Sequence, residues 1–407
     1  MQTKKVIQRI LQAAISGCLI ASCSSATAYP PQETASRAPT TAEGQLATEN
    51  QPMKPGAETL ELGETPTAPS PTPVVQRMES GVLRVFCAGS LILPFSELEK
   101  AFEAANPEID VQTEFHGSIQ VMRHVTDLHE AIDVVATADR ALIPMLMYAT
   151  DDPDTGEPYA DWYLHFAGNK VGLAYTTESR RAGEINAQNW YSILADPGVR
   201  FGLADPRIDP SGYRTLMALR LAEVYYGQPG IFQDLMGSKF SYPIGIFKEA
   251  GYTEISVPEI LEPKLDSSLA LRGASIQLVA LLQSGDLDYA FEYESVIRQH
   301  GLELLELPEA VNLGSAAQAE TYRQVEVKLD FQRFAKIQPV FRGEPIGYGI
   351  TIPSNAPEPG LAEQYIQFLL SEEGRGIMEA YYHPVFEQVG CDGVENMPEV
   401  LRGVCLE

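Results

Sequence analysis

Residues 81–107 read GVLRVFCAGSLILPFSELEKAFEAANP, and this stretch decides the fold class. The apolar segment 81–88 has the length and composition of a β-strand, and it ends in Gly89-Ser90. The rest of the stretch has the apolar spacing of an amphipathic helix, with Pro94 near its first turn. The sequence therefore predicts a strand, a short loop and a helix in direct succession.

The same unit recurs along the chain. Further strand and helix patterns are IDVQTEFHGS (109–118), DVVATADRALIPMLM (133–147), VRFGLADPRIDPSGYR (199–214), LRGASIQLVALLQSG (271–285) and DLDYAFEY (286–293). Repeated units of this kind predict an α/β fold with a parallel, doubly wound sheet. Ligands of such sheets bind at the carboxyl ends of the strands, so functional residues are expected there. Residues 228–262 break the pattern and are expected to form an irregular insertion.

The N-terminus has the features of an export signal. Residues 1–22 contain a basic start and then an apolar run that is too short to span a bilayer. The run ends in IASC, which resembles a bacterial lipobox, in which the signal is cut before the cysteine and the cysteine receives a lipid. This predicts a lipoprotein signal peptide at 1–22 and lipidation at Cys23. An ordinary signal cut after Ala26 or Ala28 is the alternative.

A low-complexity tether is expected to follow. Residues 23–80 are rich in Pro, Thr, Ser, Ala and Glu, a composition that buries too little apolar surface to offset chain entropy. The segment is therefore expected to be disordered. With a lipid at its start, the folded body would lie outside the cytoplasm and close to the cell membrane. That body spans more than 300 residues of the 407-residue chain, which favours two lobes.

Charge and cysteine content exclude several classes of partner. The formal net charge of −26 argues against binding to nucleic acid or to an anionic membrane surface. No CxxC pair or Cys/His cluster suggests a zinc site. Cys87 lies in an apolar strand and is expected to be a buried hydrophobic residue. Cys391 and Cys405 are either free or joined in one disulfide, which an extracytoplasmic compartment would permit.

Polar residues at the predicted strand ends are the candidates for function. Ser90 and Ser118 each follow a glycine where a strand meets a helix, and this arrangement suits a tetrahedral oxyanion held by neutral donors. Both serines could instead be helix caps. Asp209 precedes a helix, where a capping role is the default, and Glu292 ends the DLDYAFEY strand. The four side chains are expected to converge.

An enzyme is a further alternative. Two carboxylates that converge could perform general acid/base or glycosidase chemistry. No GxSxG, HExxH or Walker motif accompanies them in this sequence. We therefore expect no enzymatic activity and no cofactor.

Several segments together resemble the molybdate- and tungstate-binding proteins of ABC import systems, in their archaeal-type branch. The segments are AGSLILPFSELEKAFE (88–103), HGSIQVMRHVTDL (116–128), IDVVATADRALIPMLM (132–147), ADWYLHFAGNKVGLAYT (160–176), DPSGYRTLMALRLAEVYY (209–226), GDLDYAFEYESV (285–296) and GYGITIPSNAPEPGLAEQYIQFLLSEEG (347–374). The resemblance implies a two-lobed type II periplasmic-binding-protein fold with a hinge and an interlobe cleft. It also implies a monomer that binds tungstate or molybdate and delivers it to an ABC permease and its ATPase.

The resemblance assigns roles to individual residues. Ser90 and Ser118 match the oxyanion-binding serines of the first lobe. Asp209 and Glu292 match two carboxylates of the second lobe that complete an octahedral environment around the tungsten or molybdenum atom. Tyr293 is expected to be a hydroxyl donor near the hinge.

The chemistry of the two carboxylates suits this ligand. A tungsten(VI) or molybdenum(VI) centre is a Lewis acid that can expand from four to six ligands, whereas sulfur and phosphorus in sulfate and phosphate cannot. Carboxylates at this position would therefore discriminate against sulfate. The alternative is a sulfate or phosphate binder in which Asp209 and Glu292 have structural roles.

The expected lobes are residues 81–175 together with 347–407, and residues 176–346. Binding of the anion between the lobes would favour their closed arrangement. Glu294, next to the candidate site, is expected to face solvent at the start of a helix.

Overall fold

The computed structural model describes residues 81–330 and 339–405. The predicted signal peptide, the lipidation site at Cys23 and the tether of 23–80 lie outside the described residues. Within the described part of the chain, no helix has both the length and the apolar character that a membrane span requires.

The strands, in chain order, are β1 (Gly81–Ala88), β2 (Ile109–His116), β3 (Val134–Thr137), β4 (Tyr163–Gly168), β5 (Val171–Tyr175), β6 (Phe201–Ala204), β7 (Gly245–Lys248), β8 (Thr253–Val257), β9 (Leu269–Arg272), β10 (Tyr289–Tyr293), β11 (Glu303–Glu306), β12 (Val325–Leu329), β13 (Val340–Arg342), β14 (Gly347–Thr351) and β15 (Val385–Asp392).

The α-helices are α1 (Ile92–Ala105), α2 (Ser118–Thr126), α3 (Trp190–Leu194), α4 (Pro210–Tyr226), α5 (Ile276–Gln283), α6 (Glu294–Gln299), α7 (Glu309–Asn312), α8 (Ala319–Tyr322), α9 (Pro359–Leu370), α10 (Glu372–Ala380) and α11 (Glu399–Arg402). Short 3-10 helices cover Gly89–Leu91 and Ala316–Gln318, and short π-helices cover Ile143–Met147 and Gln233–Gly237.

Two mixed sheets position the candidate site. The six-stranded sheet has the order β15-β4-β14-β3-β1-β2, and β1 is parallel to both β2 and β3. The five-stranded sheet has the order β11-β5-β10-β6-β9, and β6 is parallel to both β9 and β10. The α/β class is as predicted. The parallel pairing holds for β1 with β2 and β3 and for β6 with β9 and β10, whereas β14 and β5 pair with their neighbours in antiparallel orientation.

The parallel strands are apolar because helices cover both of their faces. Leu83, Val85 and Cys87 of β1 are all fully buried, and so is the whole of β3. Such continuous burial is typical of a parallel sheet between two helical layers. The prediction that Cys87 is a buried hydrophobic residue is thus confirmed.

The prediction of an irregular insertion at 228–262 is wrong. This segment contains β7 and β8, which form an antiparallel pair in a four-stranded sheet of order β13-β12-β8-β7. β8 also pairs in parallel with β12. Its sequence, TEISV, alternates between buried and partly exposed positions, so Ile255 and Val257 pack into the core. This period of two is the strand signal that the sequence analysis passed over.

The chain passes from one large sheet to the other between Gly168 and Val171. β5 therefore belongs to the five-stranded sheet, although the expected first lobe extended to residue 175. The reason is that β5 pairs with β10, which lies in the second sheet. At Gly347 the chain returns to the six-stranded sheet through β14. In other respects the division into lobes stays a prediction.

A disulfide joins Cys391 of β15 to Cys405. Val389, also in β15, forms a parallel bridge with Cys405. The disulfide and the bridge attach the C-terminal residues to the edge of the six-stranded sheet.

Candidate functional site

The two predicted serines follow neighbouring strands of the six-stranded sheet. Ser90 lies in the 3-10 helix directly after β1, and its Oγ is 2.8 Å from the hydroxyl oxygen of Tyr348. Ser118 is the first residue of α2, and its Oγ accepts a hydrogen bond of 2.9 Å from the backbone amide of Ala138. Both serines are buried. They therefore lie together at the carboxyl edge of this sheet, where the strand pattern predicted them.

Gly117 explains why a glycine must precede Ser118. A Cβ atom at this position would lie 2.6 Å from the carbonyl oxygen of Ile208, in the loop after β6 of the other sheet. The backbone amide of Ile119, two residues after Gly117, donates a hydrogen bond of 3.1 Å to the same oxygen. The absence of a side chain at Gly117 thus allows the ends of the two sheets to meet.

Asp209 is the N-cap of α4, in agreement with the default reading of its sequence. Its Oδ1 accepts a hydrogen bond of 2.8 Å from the amide of Ser211. Its Oδ2 accepts one of 3.0 Å from the amide of Ser275, which lies just after β9. Burial raises the pKa of the Asp209 carboxyl, while these two hydrogen bonds act in the opposite direction. Each oxygen retains a further lone pair for a ligand.

Glu292 lies near the end of β10 and is 1% exposed. Its Oε1 accepts a hydrogen bond of 2.7 Å from the amide of Tyr293, and its Oε2 has no hydrogen-bond partner among the described residues. Burial raises the pKa of Glu292 to about 8; the Tyr293 amide and the nearby Ser275 hydroxyl lower it, and the charge of Asp209 raises it further. A buried carboxyl oxygen without a partner is costly, so a ligand at this position would be stabilising.

The five predicted residues belong to one connected group of contacts. Arg214 donates from Nη1 to the hydroxyl of Tyr293 at 2.8 Å and to the carbonyl of Ala138 at 2.5 Å. The rings of Tyr293 and Tyr348 are in edge contact, with their centroids 6.3 Å apart. Through Ala138 the group reaches Ser118, and through Tyr348 it reaches Ser90. Glu292 adjoins Tyr293 in sequence, and Asp209 is close enough to influence the pKa of Glu292.

Four residues of this site were missed in the sequence analysis: Asn169, Arg214, Ser275 and Tyr348. Ser275 had a detectable signal, because the dipeptide Ala274-Ser275 follows β9 as Gly-Ser follows β1 and β2. Asn169 donates from Nδ2 to the hydroxyl groups of Ser295 at 2.8 Å and Tyr348 at 3.1 Å. It lies between the two large sheets, where its local sequence gives no indication of these partners.

The expectation that Glu294 faces solvent is wrong. Its side chain is 16% exposed and forms ion pairs of 2.6 Å with both Lys170 and Arg298. Arg298 lies one helical turn further along α6, and Lys170 lies between the two large sheets. Glu294 is therefore neutralised by two cations, which explains how a second glutamate is tolerated beside Glu292.

The site offers both hydroxyl groups and carboxylate oxygens to a ligand. Among residues 81–330 and 339–405, no three His, Cys, Asp or Glu side chains are grouped so that they could hold a metal ion. The site instead combines two carboxylates with neutral hydroxyl groups. Hydroxyl groups can donate to the oxygens of an oxyanion, and hard carboxylate oxygens can approach its central metal.

These features define a class of protein: an α/β binding protein with a buried polar site between the carboxyl edges of two sheets. The family model described as "Bacterial extracellular solute-binding protein" matches residues 83–382. The chain belongs to this family of extracellular solute-binding proteins.

Three relatives illustrate its place in the family. A solute-binding protein of Methanoculleus marisnigri is 39% identical over 323 residues, which cover 79% of this chain and 86% of the relative. The molybdate/tungstate-binding protein WtpA of Thermococcus kodakarensis is 36% identical, with coverage of 79% and 86%. The protein of the same name from Pyrococcus abyssi is 37% identical, with coverage of 79% and 89%.

Proposed function

We propose that this protein binds tungstate or molybdate outside the cytoplasm and delivers the anion to an ABC permease and its ATPase. The observation that carries the proposal is the buried Oε2 atom of Glu292, which has no hydrogen-bond partner among the described residues. It lies beside Asp209 in a group of contacts that includes two buried serines. Two relatives of more than one third identity that are named for binding molybdate and tungstate support the same ligand class.

In the proposed complex, the hydroxyl groups of Ser90 and Ser118 donate hydrogen bonds to oxygens of the anion. Asp209 and Glu292 supply carboxylate oxygens to the tungsten or molybdenum atom, and Tyr293 is a further hydroxyl donor. Glu292 coordinates as a carboxylate, so the proton that it carries near neutral pH passes to solvent. The sulfur atom of sulfate cannot accept a carboxylate ligand, so sulfate gains no coordination from Asp209 or Glu292.

The hydrogen bonds of Asp209 support an alternative in which the protein binds a different oxyanion. Backbone amides already engage both of its oxygens, as expected for a residue with a structural role. In that case the protein would bind a sulfate- or phosphate-type oxyanion, and Asp209 would contribute no coordination. The partner-free Oε2 of Glu292 favours the tungstate and molybdate proposal over this alternative.

Isothermal titration of the full chain with tungstate, molybdate, sulfate and phosphate tests the proposal. We expect tight binding of the first two anions and no detectable binding of the last two. Binding of sulfate or phosphate in preference to tungstate would favour the alternative ligand. Hydrolysis of a glycoside without affinity for any oxyanion would instead favour a carboxylate-dependent enzyme, an activity that we do not expect.

We further propose that the protein acts as a monomer and that a lipid on Cys23 anchors it to the cell membrane. The IASC sequence at 20–23 supports the lipid anchor. Detergent phase partitioning of cells that express the wild-type chain or Cys23→Ala tests the anchor. The wild type should enter the detergent phase and the variant should not. Equal partitioning of the two proteins would contradict lipidation at Cys23.

A further inference from the structure

Three side chains beside the candidate site connect the two large sheets directly. Asp139 follows β3 of the six-stranded sheet, whereas Tyr213 and Arg214 lie near the start of α4, after β6 of the five-stranded sheet. The Tyr213 hydroxyl donates a hydrogen bond to Oδ2 of Asp139. Arg214 pairs with the same carboxylate through Nη2 at 3.3 Å. All three side chains are buried, so solvent does not weaken these contacts.

The two partners of Asp139 are held in place by one residue of the four-stranded sheet and one of the five-stranded sheet. The ring of Tyr213 stacks on that of Phe341, with centroids 4.1 Å apart and an interplanar angle of 8°. Arg214 is fixed by its hydrogen bond to the hydroxyl of Tyr293. It also donates to the carbonyl of Ala138, whose amide in turn donates to Ser118. The contact across the sheets therefore includes two of the candidate ligand residues.

We infer that Asp139, Tyr213 and Arg214 form a latch that holds the two sheets together over a bound anion. This inference rests on the proposed function, because it requires an anion that enters and leaves between the sheets. The three residues are positioning residues, since their polar atoms bind one another across the boundary. The latch breaks whenever the sheets separate, so it slows release of the anion and has little effect on capture.

The charge of Asp139 has a second consequence in this arrangement. Arg214 is a buried cation beside the candidate site, and a free guanidinium would attract any oxyanion, including sulfate. The ion pair with Asp139 neutralises the charge of Arg214. The latch therefore closes the site without adding a positive charge that would weaken discrimination.

Two conservative variants of the full chain test the latch. Tyr213→Phe removes one hydroxyl and keeps the stacking on Phe341, while Asp139→Asn removes the charge and keeps the shape. Tyr213→Phe should accelerate tungstate dissociation about tenfold and leave association within about twofold. Asp139→Asn should also accelerate dissociation, but by less than tenfold, because the unpaired Arg214 then attracts the anion. Dissociation is measured by chasing tungstate-loaded protein with excess molybdate and assaying the retained tungsten. In the double variant, the change in the activation free energy of dissociation should be smaller than the sum of the changes in the two single variants, because both residues belong to one network.

Two matched controls separate the latch from a general effect on stability. Tyr365→Phe removes a buried hydroxyl that has no hydrogen-bond partner among the described residues. Asp133→Asn alters a buried carboxylate that accepts hydrogen bonds from the amides of Arg84 and Glu358. Neither of these residues lies in the five-stranded sheet. Both controls should keep the wild-type dissociation rate.

A second measurement needs no ligand. The amide of Ile119 donates across the boundary to Ile208, so its peptide should exchange hydrogen faster when the sheets separate. Exchange of this peptide in the free protein should be faster in Tyr213→Phe and Asp139→Asn than in the wild type. Dissociation and exchange that are both unchanged in Tyr213→Phe would overturn the latch and leave the proposed function intact.

A different experimental result would show that the proposed function is wrong. A wild-type chain that binds neither tungstate nor molybdate would refute the proposed function directly. Exchange of the Ile119 peptide would then decide only whether the three residues hold the two sheets together. Equal exchange in the wild type and both variants would overturn the latch.

Discussion

The backbone amide of Ser275 donates a hydrogen bond of 3.0 Å to the carboxylate of Asp209, and this bond ties the ends of β6 and β9 together. It holds a carboxylate in a buried position at the head of a long helix. The neighbouring strand end, that of β10, carries a second buried carboxyl group, Glu292. The proposed function depends on this pair of acids, so most of the predictions below concern Glu292.

Glu292→Gln should weaken tungstate binding about hundredfold, or by about 3 kcal/mol. The amide has nearly the same shape but cannot supply an anionic oxygen to the tungsten atom. Titration calorimetry measures the change. Glu303→Gln, which alters an exposed glutamate of β11 in the same sheet, should bind like the wild type. Wild-type affinity in Glu292→Gln would refute coordination by this residue.

The stability of the free protein should depend on pH through Glu292. Its pKa is raised from 4.5 to about 8, mainly by burial, so the folded state keeps a proton that the unfolded chain releases. This contribution is complete below about pH 4.5 and is lost as the pH rises through 8. Relative to Glu292→Gln, the wild type should lose at most about 1.4 kcal/mol of unfolding free energy per pH unit.

Denaturant titrations of both proteins between pH 5 and pH 9, without ligand, measure this difference. The comparison with Glu292→Gln cancels the contributions of other titrating groups. A constant difference in unfolding free energy across this range would show that Glu292 is ionised throughout, contrary to the expected effect of burial.

Binding of tungstate at pH 7 should release about one proton per anion, since Glu292 is protonated in the free protein and coordinates as a carboxylate. Calorimetry in buffers of different ionisation enthalpy measures the number of protons. The observed binding enthalpy should vary with the buffer at pH 7 and become independent of it above pH 9. A protonated Glu292 that donates a hydrogen bond to the anion would give no buffer dependence at pH 7 and uptake of about one proton above pH 9.

Ser90→Ala and Ser118→Ala should each reduce tungstate affinity about five- to tenfold, the cost of one lost hydrogen bond. In Ser90→Ala the hydroxyl of Tyr348 also loses a partner, although Asn169 still donates to it. Ser284→Ala, which removes an exposed hydroxyl after α5, provides the control. If both site variants bind like this control, the serines are helix-start residues without a role in binding.

Loss of the disulfide should reduce stability without affecting the site. Its cysteines are 14 residues apart, and closing a loop of this length stabilises a protein by about 3 kcal/mol. Replacement of Cys391 and Cys405 by serine should lower the unfolding free energy by about this amount and keep the tungstate affinity within twofold. An unchanged unfolding free energy would contradict the stabilising role of this disulfide.

The candidate site could be predicted in part because its residues occupy strand ends. Ser90, Ser118, Asp209 and Glu292 each follow or end an apolar segment, and within each of the two large sheets the parallel strands bring such ends to the same edge. Local pattern was therefore sufficient to select them. The resemblance to a known family added the nature of the ligand, which no local pattern contains.

The residues that were missed depend on contacts between distant segments. Arg214 meets Tyr293 over a sequence separation of 79 residues, and Ser90 meets Tyr348 over 258. Nothing in their neighbouring residues indicates these partners. The four-stranded sheet was missed for a different reason, because its strands are three to five residues long and interrupt the strand–helix alternation.

X-ray absorption spectroscopy at the tungsten edge of the tungstate-loaded protein tests the central claim most directly. The account predicts six oxygen ligands around tungsten, four from the anion and two from the carboxylates of Asp209 and Glu292. The coordination should fall below six in Glu292→Gln. A regular tetrahedral tungsten with four short oxygen distances in the wild-type complex would contradict the account.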